Sequence, residues 1–452
     1  MGEKGKKLST YLKLSYGMGD LGFIFMVTMS NTYLLMFYTD VAGITAAAAG
    51  TLMMVGRIID SCSPPFIGAV IERSSPKWGK YLSWILIGAP LIFIFNTVMF
   101  TNNNLGMPAK AILACIVYAA FCISTNIAYT GYTSLNSSLT NDPRERVQMS
   151  TMRGQGNALG KSLAGFLLLP MILFFGGGEM NSAGFLWAAV VAGAVCVILY
   201  LNLARAAKGK DIQYKENDTK AQEKLSAGEM LRMIFGNKNL LVLFLTDVAR
   251  ILAMLVTYAM FPYFFKYVAN DINGASPFFG IVNILAFIGA TTVPFITKYL
   301  SKRNAYIAGN IMLAVCMVAA IICSSNITAV IALISIGYLG YSWGNVVNTS
   351  MYADTVDYGE WKTGKNARGL YFSMFQLSIK IAAVFSTAIA GFGLSAVGFV
   401  ANTEPTEKVI QGIRVISMGL PAALLALGVV LLLFYDLSPK KMEEIHKELE
   451  KR

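Results

Sequence analysis

Charge is scarce in this chain: 14% of its 452 residues are Asp, Glu, Lys or Arg, against about a quarter in a typical soluble domain. That shortage excludes a soluble enzyme. With 55% hydrophobic residues it also excludes a disordered or fibrous protein. The one histidine, His446, lies in the charged tail, which rules out an intramembrane histidine relay. Six cysteines (Cys62, Cys115, Cys122, Cys196, Cys316 and Cys323) sit in or beside apolar runs without a Cys-x-x-Cys pair. Neither a metal centre nor a disulfide framework is expected from them. No GxxxxGK[ST] is present, so ATP-driven pumping is excluded. No nucleophile–base set stands out either, so no enzyme activity and no cofactor beyond a coupling ion are expected. The first apolar run contains "SYGMGD" and lacks a small-residue cleavage site; it reads as an uncleaved first helix.

What fills the chain instead is apolar sequence in long runs, with a mean hydropathy of +0.56. A membrane-spanning helix needs roughly 20 mainly apolar residues. Twelve such segments can be marked, from about 11–39 to about 412–435, with the fifth at about 154–175 and the tenth at about 327–352. The long polar connection beginning at Arg205 divides them into two sets of six. The tail "DLSPKKMEEIHKELEKR" is expected to form a short amphipathic helix.

The net charge of +12 is unevenly placed. Assigning loops alternately, one side carries only Lys110, Lys266, Lys408 and Arg414, while Arg57, Lys161, Arg250 and Lys380 lie within apolar segments. Every other one of the 37 basic residues falls on the side holding both termini. By the positive-inside rule that side is cytoplasmic. The positive charge then faces the inner membrane surface rather than nucleic acid. Matching basic turns, "ERSSPKWGK" after span two and "ITKYLSKRN" after span eight, suggest a duplicated half, although topogenic charge alone gives the same pattern.

Polar groups inside a membrane are costly, so each needs a partner or a task. Asp20 follows "YGMG"; it is either a buried packing group or an acceptor for substrate hydroxyls. Arg57 and Asp60 in "GRIIDSCSPP" share a helical face and either neutralise each other or serve a site. Pro64 and Pro65 are expected to disrupt that helix and free carbonyls beside Asp60, as a cation site requires. Asp247 and Arg250 repeat the spacing without a helix break and suit a structural or gating pair. Lys380 lies too deep in span eleven to snorkel easily. Tyr16, Asn126, Tyr129, Tyr132, Tyr341, Trp343, Asn345 and Asn348 cluster near these charges in sequence, a mixture suited to sugar rings.

These residues carry a resemblance. "YGMGD", "LLMFYTDVAGITAAAAGT", "GRIID", "ERSSPKWGK", "TNDPRERVQMSTMR", "ADTVDYGEWKTGKNARGL" and "YDLSPKKMEEI" make the chain similar, nearly end to end, to the glycoside–pentoside–hexuronide:cation symporters of the major facilitator superfamily. "VAGITAAAAGT" and "GIRVISMGLP" look most similar to glucuronide carriers. The resemblance implies that Asp20 recognises sugar, that Asp60 and Asn126 belong to a cation site, and that Arg153 and Lys380 lie near both. Three departures from the family pattern involve four positions. Pro64 replaces the second cation-site carboxylate, Tyr129 the acidic sugar ligand of melibiose-type members, and Asn366 and Arg368 the usual arginine and glutamate.

The expectation is an all-α integral membrane protein of major facilitator fold, with 12 transmembrane helices in two six-helix bundles that rock about a central site. Its parts are a bundle at 1–204, a cytoplasmic loop at 205–238, a second bundle at 239–435 and a tail at 436–452. It is expected to be a monomer in lipid at the cell inner membrane, taking up a glycoside or sugar acid, with hexuronide favoured, together with H⁺ or Na⁺. Asp20, Tyr16, Tyr129, Arg153, Trp343, Asn345 and Lys380 are expected at the substrate, and Asp60, Ser63 and Asn126 at the cation. Arg57, Asp247 and Arg250 are expected in charge pairs. A lysolipid transporter on the same scaffold and an uncoupled sugar facilitator are the alternatives.

Overall fold

The computed structural model describes residues 8–211, 227–364 and 368–449, apart from 75, 77, 104 and 141. Of the positions singled out above, Asn366 and the Arg368 side chain lie outside the described residues. The regular elements are all helical: α1 (Thr10–Met36), α2 (Ala46–Arg73), α3 (Leu82–Met99), α4 (Met107–Leu139), α5 (Pro143–Phe175), α6 (Ser182–Ala207), α7 (Ala227–Gly236) and α8 (Lys238–Tyr263). They continue with α9 (Ala275–Tyr299), α10 (Lys302–Ile322), α11 (Ile327–Thr363), α12 (Arg368–Ala396), α13 (Glu407–Arg414), α14 (Leu420–Leu433) and α15 (Pro439–Leu449). Twelve runs among the described residues are long and apolar enough to span a membrane, α13 and α14 together forming the last.

Helix starts follow local chemistry. Ser9, Thr45, Asp142, Asn181, Asn237, Ser301 and Asn326 each accept a backbone N–H of the first turn of the helix they precede, satisfying donors that have no partner inside the helix. Two helices outrun the apolar segments expected for them. α5 begins at Pro143 rather than near 154, because Asp142 caps it and proline suits a first helical position. α11 continues to Thr363, where Gly364 adopts a left-handed conformation (φ 72°) and ends it. Apolarity marks where a helix crosses lipid, not where its hydrogen bonds stop. The short α7 lies inside the stretch that the sequence assigns to the loop at 205–238.

The chain forms two compact units, the first comprising Met1–Asn217, Ile272–Gly280 and Thr387–Pro405, the second Asp218–Asp271, Ile281–Ser386 and Thr406–Arg452. In the first unit α1 packs on α5 and α6, and α4 on α2 and α3. The α1–α5 contact is backbone against backbone. A methyl group on Gly17 would strike the Met152 carbonyl, one on Gly156 the Gly17 carbonyl, and one on Gly160 that of Leu21. Small residues are what allow such an approach between helices.

In the second unit α10 packs on α11 and α14, and α14 on α8. Tyr306, Met351, Tyr352, Leu432 and Tyr435 form a core that Met442 and Ile445 of α15 complete. The tail is thus an amphipathic helix, as its sequence suggests. It is fastened to α11 by His446 Nε2 against Asp357 Oδ2 at 3.0 Å and by the Trp361 indole donating to Glu448.

α1 and α8 end alike. Each widens into a π-turn, Phe37–Val41 and Phe264–Val268. Ala42 N–H then donates to Phe37 C=O and Ile44 N–H to Tyr38 C=O; Ala269 and Asp271 repeat both bonds to Phe264 and Phe265.

Candidate functional site

Asp20 sits in the middle of α1 with 1% of its surface exposed. Close packing of α5 brings a stripe of side chains against it, Arg153, Asn157 and Lys161, spaced four apart and hence on one helical face. Asn157 Nδ2 donates to Asp20 Oδ2 at 3.1 Å. Arg153 and Lys161 are the basic groups whose charge acts on the carboxylate, and the Tyr129 hydroxyl also reaches it. Asp20 Oδ1 is buried with no hydrogen-bond partner among the described residues. An ionised carboxylate oxygen left so is costly, and it is an acceptor ready for a donor brought by a ligand.

The wall beside Asp20 is aromatic. Phe23 stacks on Tyr129 with ring centroids 4.5 Å apart, and Tyr132 lies 5.8 Å from both Tyr129 and Tyr200. Tyr16 is wholly buried. Its ring stacks on Tyr132 at 4.6 Å, and each hydroxyl donates to the other's backbone carbonyl, at 3.3 and 2.7 Å. Tyr16 therefore fastens α1 to α4 here, and its hydroxyl also meets Arg153.

A second cluster joins α2 to α4. Asn126 Nδ2 donates to Asp60 Oδ1 at 2.9 Å, to the Asp60 carbonyl at 3.0 Å and to Ser63 Oγ at 2.8 Å. The three residues expected together are together. The expected disruption by Pro64 and Pro65 does not occur: α2 runs unbroken from Ala46 to Arg73. Pro64 has no N–H for the Asp60 carbonyl four residues back. The Asn126 amide and the Ser63 hydroxyl, the latter at 3.4 Å, take that role, and the helix stays whole. Arg57, one turn earlier, donates to Asn31 Oδ1 on α1 and lies 5.9 Å over the Tyr118 ring.

In the second unit Asp247 and Arg250 form a buried ion pair at 3.7 Å. Tyr306 bridges them, donating to Asp247 Oδ1 at 2.7 Å and accepting from Arg250 Nε at 2.8 Å. Asn348 donates to Asp247 Oδ2 at 2.9 Å, and the Tyr341 ring lies 4.8 Å from the guanidinium. Both charges are 1% exposed or less, so they are held by one another and by hydroxyl and amide groups rather than by water. Trp343 is half-buried and donates to Thr292 Oγ1 at 3.0 Å. Asn345 is exposed and Lys380 half-buried on α12.

Three partners escaped the sequence reading: Asn157, Asn31 and Tyr306. Asn157 was within reach of a helical-row argument, standing one turn past Arg153 and one before Lys161. Nothing in the sequence near Asn31 or Tyr306 marks them, since both act across helix contacts.

The sequence and the fold have counterparts elsewhere. A family model described as MFS/sugar transport protein matches residues 15–439. The isoprimeverose transporter of Lactiplantibacillus pentosus is 29% identical over 96% of this chain and 91% of its own. The glucuronide carrier protein homolog of Escherichia coli K12 is 27% identical, over 99% and 97%. A solved D-xylose-proton symporter shares the fold at a TM-score of 0.67 with 13% identity, over 94% and 97%.

Proposed function

Since the chain belongs to the MFS/sugar transport family, and is a multi-pass membrane transporter rather than an enzyme, we propose that it carries a glycoside or sugar acid by alternating access, coupled to a cation. The observation that carries the sugar reading is Asp20: a buried carboxylate with one oxygen held by Asn157 and the other without a hydrogen-bond partner among the described residues. It stands beside the stacked Phe23–Tyr129 pair. An aromatic face suits the C–H side of a sugar ring, and the free oxygen suits a hydroxyl donor.

The cation belongs at Asp60. Three oxygens, Asp60 Oδ1, the Asp60 carbonyl and Ser63 Oγ, converge on one point now held by the Asn126 amide nitrogen. With Pro64 in place of a second carboxylate, only one acid supplies the charge. Sodium favours several hard oxygen ligands, whereas a single buried carboxylate suffices for a proton, so H⁺ is the preferred ion. A sugar acid is the preferred substrate: Tyr129 removes a repulsive acid from Asp20's surroundings, Arg153 adds a positive charge, and relatives include a glucuronide carrier homolog. Lys380 is assigned to the same substrate. The six-span halves at 1–204 and 239–435, residence in the inner membrane and a monomeric state belong to this reading, as do cytoplasmic termini, which rest on the basic-residue distribution.

The test is uptake into proteoliposomes against a panel of glycosides and sugar acids, with H⁺ or Na⁺ gradients imposed separately. Accumulation of an acidic sugar driven by the proton gradient is expected. Strict sodium dependence with no proton-driven part would overturn the ion, and transport of no panel member would overturn the sugar.

A further inference from the structure

One cavity in the first unit is lined by none of the residues of the Asp20 and Asp60 clusters. It has a volume of about 790 Å³ and lies where α2 ends, α3 begins and α6 ends. Its mouth is basic, with Lys80, Arg205 and Lys208 against a single acidic lining residue among those described, Asp211. One oxygen of that acid is committed to structure, while its Oδ1 is buried without a hydrogen-bond partner among the described residues. Asp211 Oδ2 accepts the backbone N–H groups of Tyr81 and Leu82, at 2.7 and 2.9 Å, capping α3. Gly79, at φ 111°, turns the chain so tightly that any side chain there would strike the Asp211 carboxylate. Trp78 stands at the rim, two-thirds exposed, as tryptophan does at membrane interfaces.

Below the mouth the lining becomes apolar and stays so. Leu82 and Leu86 of α3 and Leu201 and Ala204 of α6 form the inner wall. The same two helix faces continue into a groove of about 340 Å³ lined by Pro90, Phe93, Ile94, Ala194, Val197 and Ile198. Asn96 Nδ2, donating to the Ala189 carbonyl at 2.8 Å, holds the two helices together beyond it. From Leu82 to Ile94 the stripe covers about 18 Å at roughly 1.5 Å per residue, the length of an acyl chain.

We propose that this pocket and groove bind one anionic phospholipid of the surrounding membrane. The phosphodiester takes the Lys80–Arg205–Lys208 mouth and an acyl chain lies along the α3–α6 groove. A neutral detergent or a zwitterionic lipid fits the groove but not the charge of the mouth, and a free anion fits the mouth but not the groove.

The experiment is native mass spectrometry of the full chain in detergent, titrated separately with phosphatidylglycerol, phosphatidylcholine and inorganic phosphate. Wild type should retain phosphatidylglycerol over phosphatidylcholine, and Arg205→Gln with Lys208→Gln should cut that preference by roughly thirtyfold, the order expected for losing two basic contacts at a membrane surface. Ala194→Phe fills the groove without touching the charge; it should weaken both lipids alike, and it serves if the double variant does not fold. Equal retention of the two lipids by wild type overturns the proposal, as does an undiminished preference in the double variant or unchanged lipid binding in Ala194→Phe. Displacement of phosphatidylglycerol by millimolar phosphate would assign the mouth to a soluble anion instead.

Discussion

The side-chain amide of Asn126, on α4, donates at 3.0 Å to the backbone carbonyl of Asp60, the carbonyl that the N–H of residue 64 would take in an ordinary helix. Pro64 cannot supply that donor, so a neighbouring helix does. Removing it in Asn126→Ala strips the amide donor shared by the Asp60 carboxylate, the Asp60 carbonyl and Ser63 Oγ, at a cost of about 1–3 kcal/mol, read as a lower unfolding temperature in detergent. Pro64→Ala restores a backbone N–H and should recover more stability in the Asn126→Ala background than in wild type. Equal gains in both backgrounds would show that the two groups do not share the carbonyl.

Asp60→Asn keeps the shape of the side chain and removes its charge. Gradient-driven accumulation in proteoliposomes is expected to fall by an order of magnitude or more, a barrier change of about 1.4 kcal/mol or above. Exchange of internal for external substrate should survive better. Uphill accumulation at the wild-type level would sink the coupling role.

Lys380→Ala separates substrate classes. Competition by an acidic sugar against labelled substrate should weaken roughly five- to tenfold, on the scale of one modest charged contact, while competition by a neutral glycoside changes little. Equal losses for both would make Lys380 a structural or coupling residue.

The Asp247–Arg250 pair predicts a sign reversal. Arg250→Gln or Asp247→Asn alone leaves one buried charge without its counter-charge, a loss of about 3–5 kcal/mol, visible as poor yield or early unfolding. The double variant should be more stable than either single one. Tyr306→Phe, which deletes the bridging hydroxyl, should cost about 1–3 kcal/mol.

Two glycines on α5 should answer the same substitution differently. Gly154 faces open space, and Gly154→Ala should be neutral or slightly stabilising, by up to about 1 kcal/mol. Gly156 meets the Gly17 carbonyl, and Gly156→Ala should cost about 1–3 kcal/mol by forcing α1 and α5 apart. Transport should fall with it, because Asn157 and Arg153 then draw back from Asp20.

Crossing segments and their costly residues were legible because a bilayer imposes a long apolar run and penalises each charge within it. Asp20, Asp60, Asp247 and Arg250 stand out on that ground alone. Two neighbours in space, Asp60 and Asn126, came together through the family resemblance rather than through spacing. What the sequence hid was set by contacts between helices. Pro64 reads as a break in isolation and is harmless once α4 offers an amide. Tyr16 reads as an aromatic near a carboxylate and proves to be stacked on Tyr132. The far ends of α5 and α11 are polar, so hydropathy is blind to them, whereas a cap at Asp142 and a left-handed glycine at 364 define them.

The matched turns that end α1 and α8 carry a register. Asp20 lies seventeen residues before Phe37, and Asp247 seventeen before Phe264, so both halves hold a carboxylate at one and the same rung of their first helix. Three residues further on, the first half has Phe23 and the second Arg250. The two acids are met differently: Asp247 has a counter-charge on its own helix and both oxygens taken by Tyr306 and Asn348, whereas Asp20 draws its basic neighbours from α5 and keeps one oxygen without a hydrogen-bond partner among the described residues. An arginine installed by Phe23→Arg would place a counter-charge on Asp20's own helix, as Arg250 does for Asp247, and would compete with a ligand for its open oxygen.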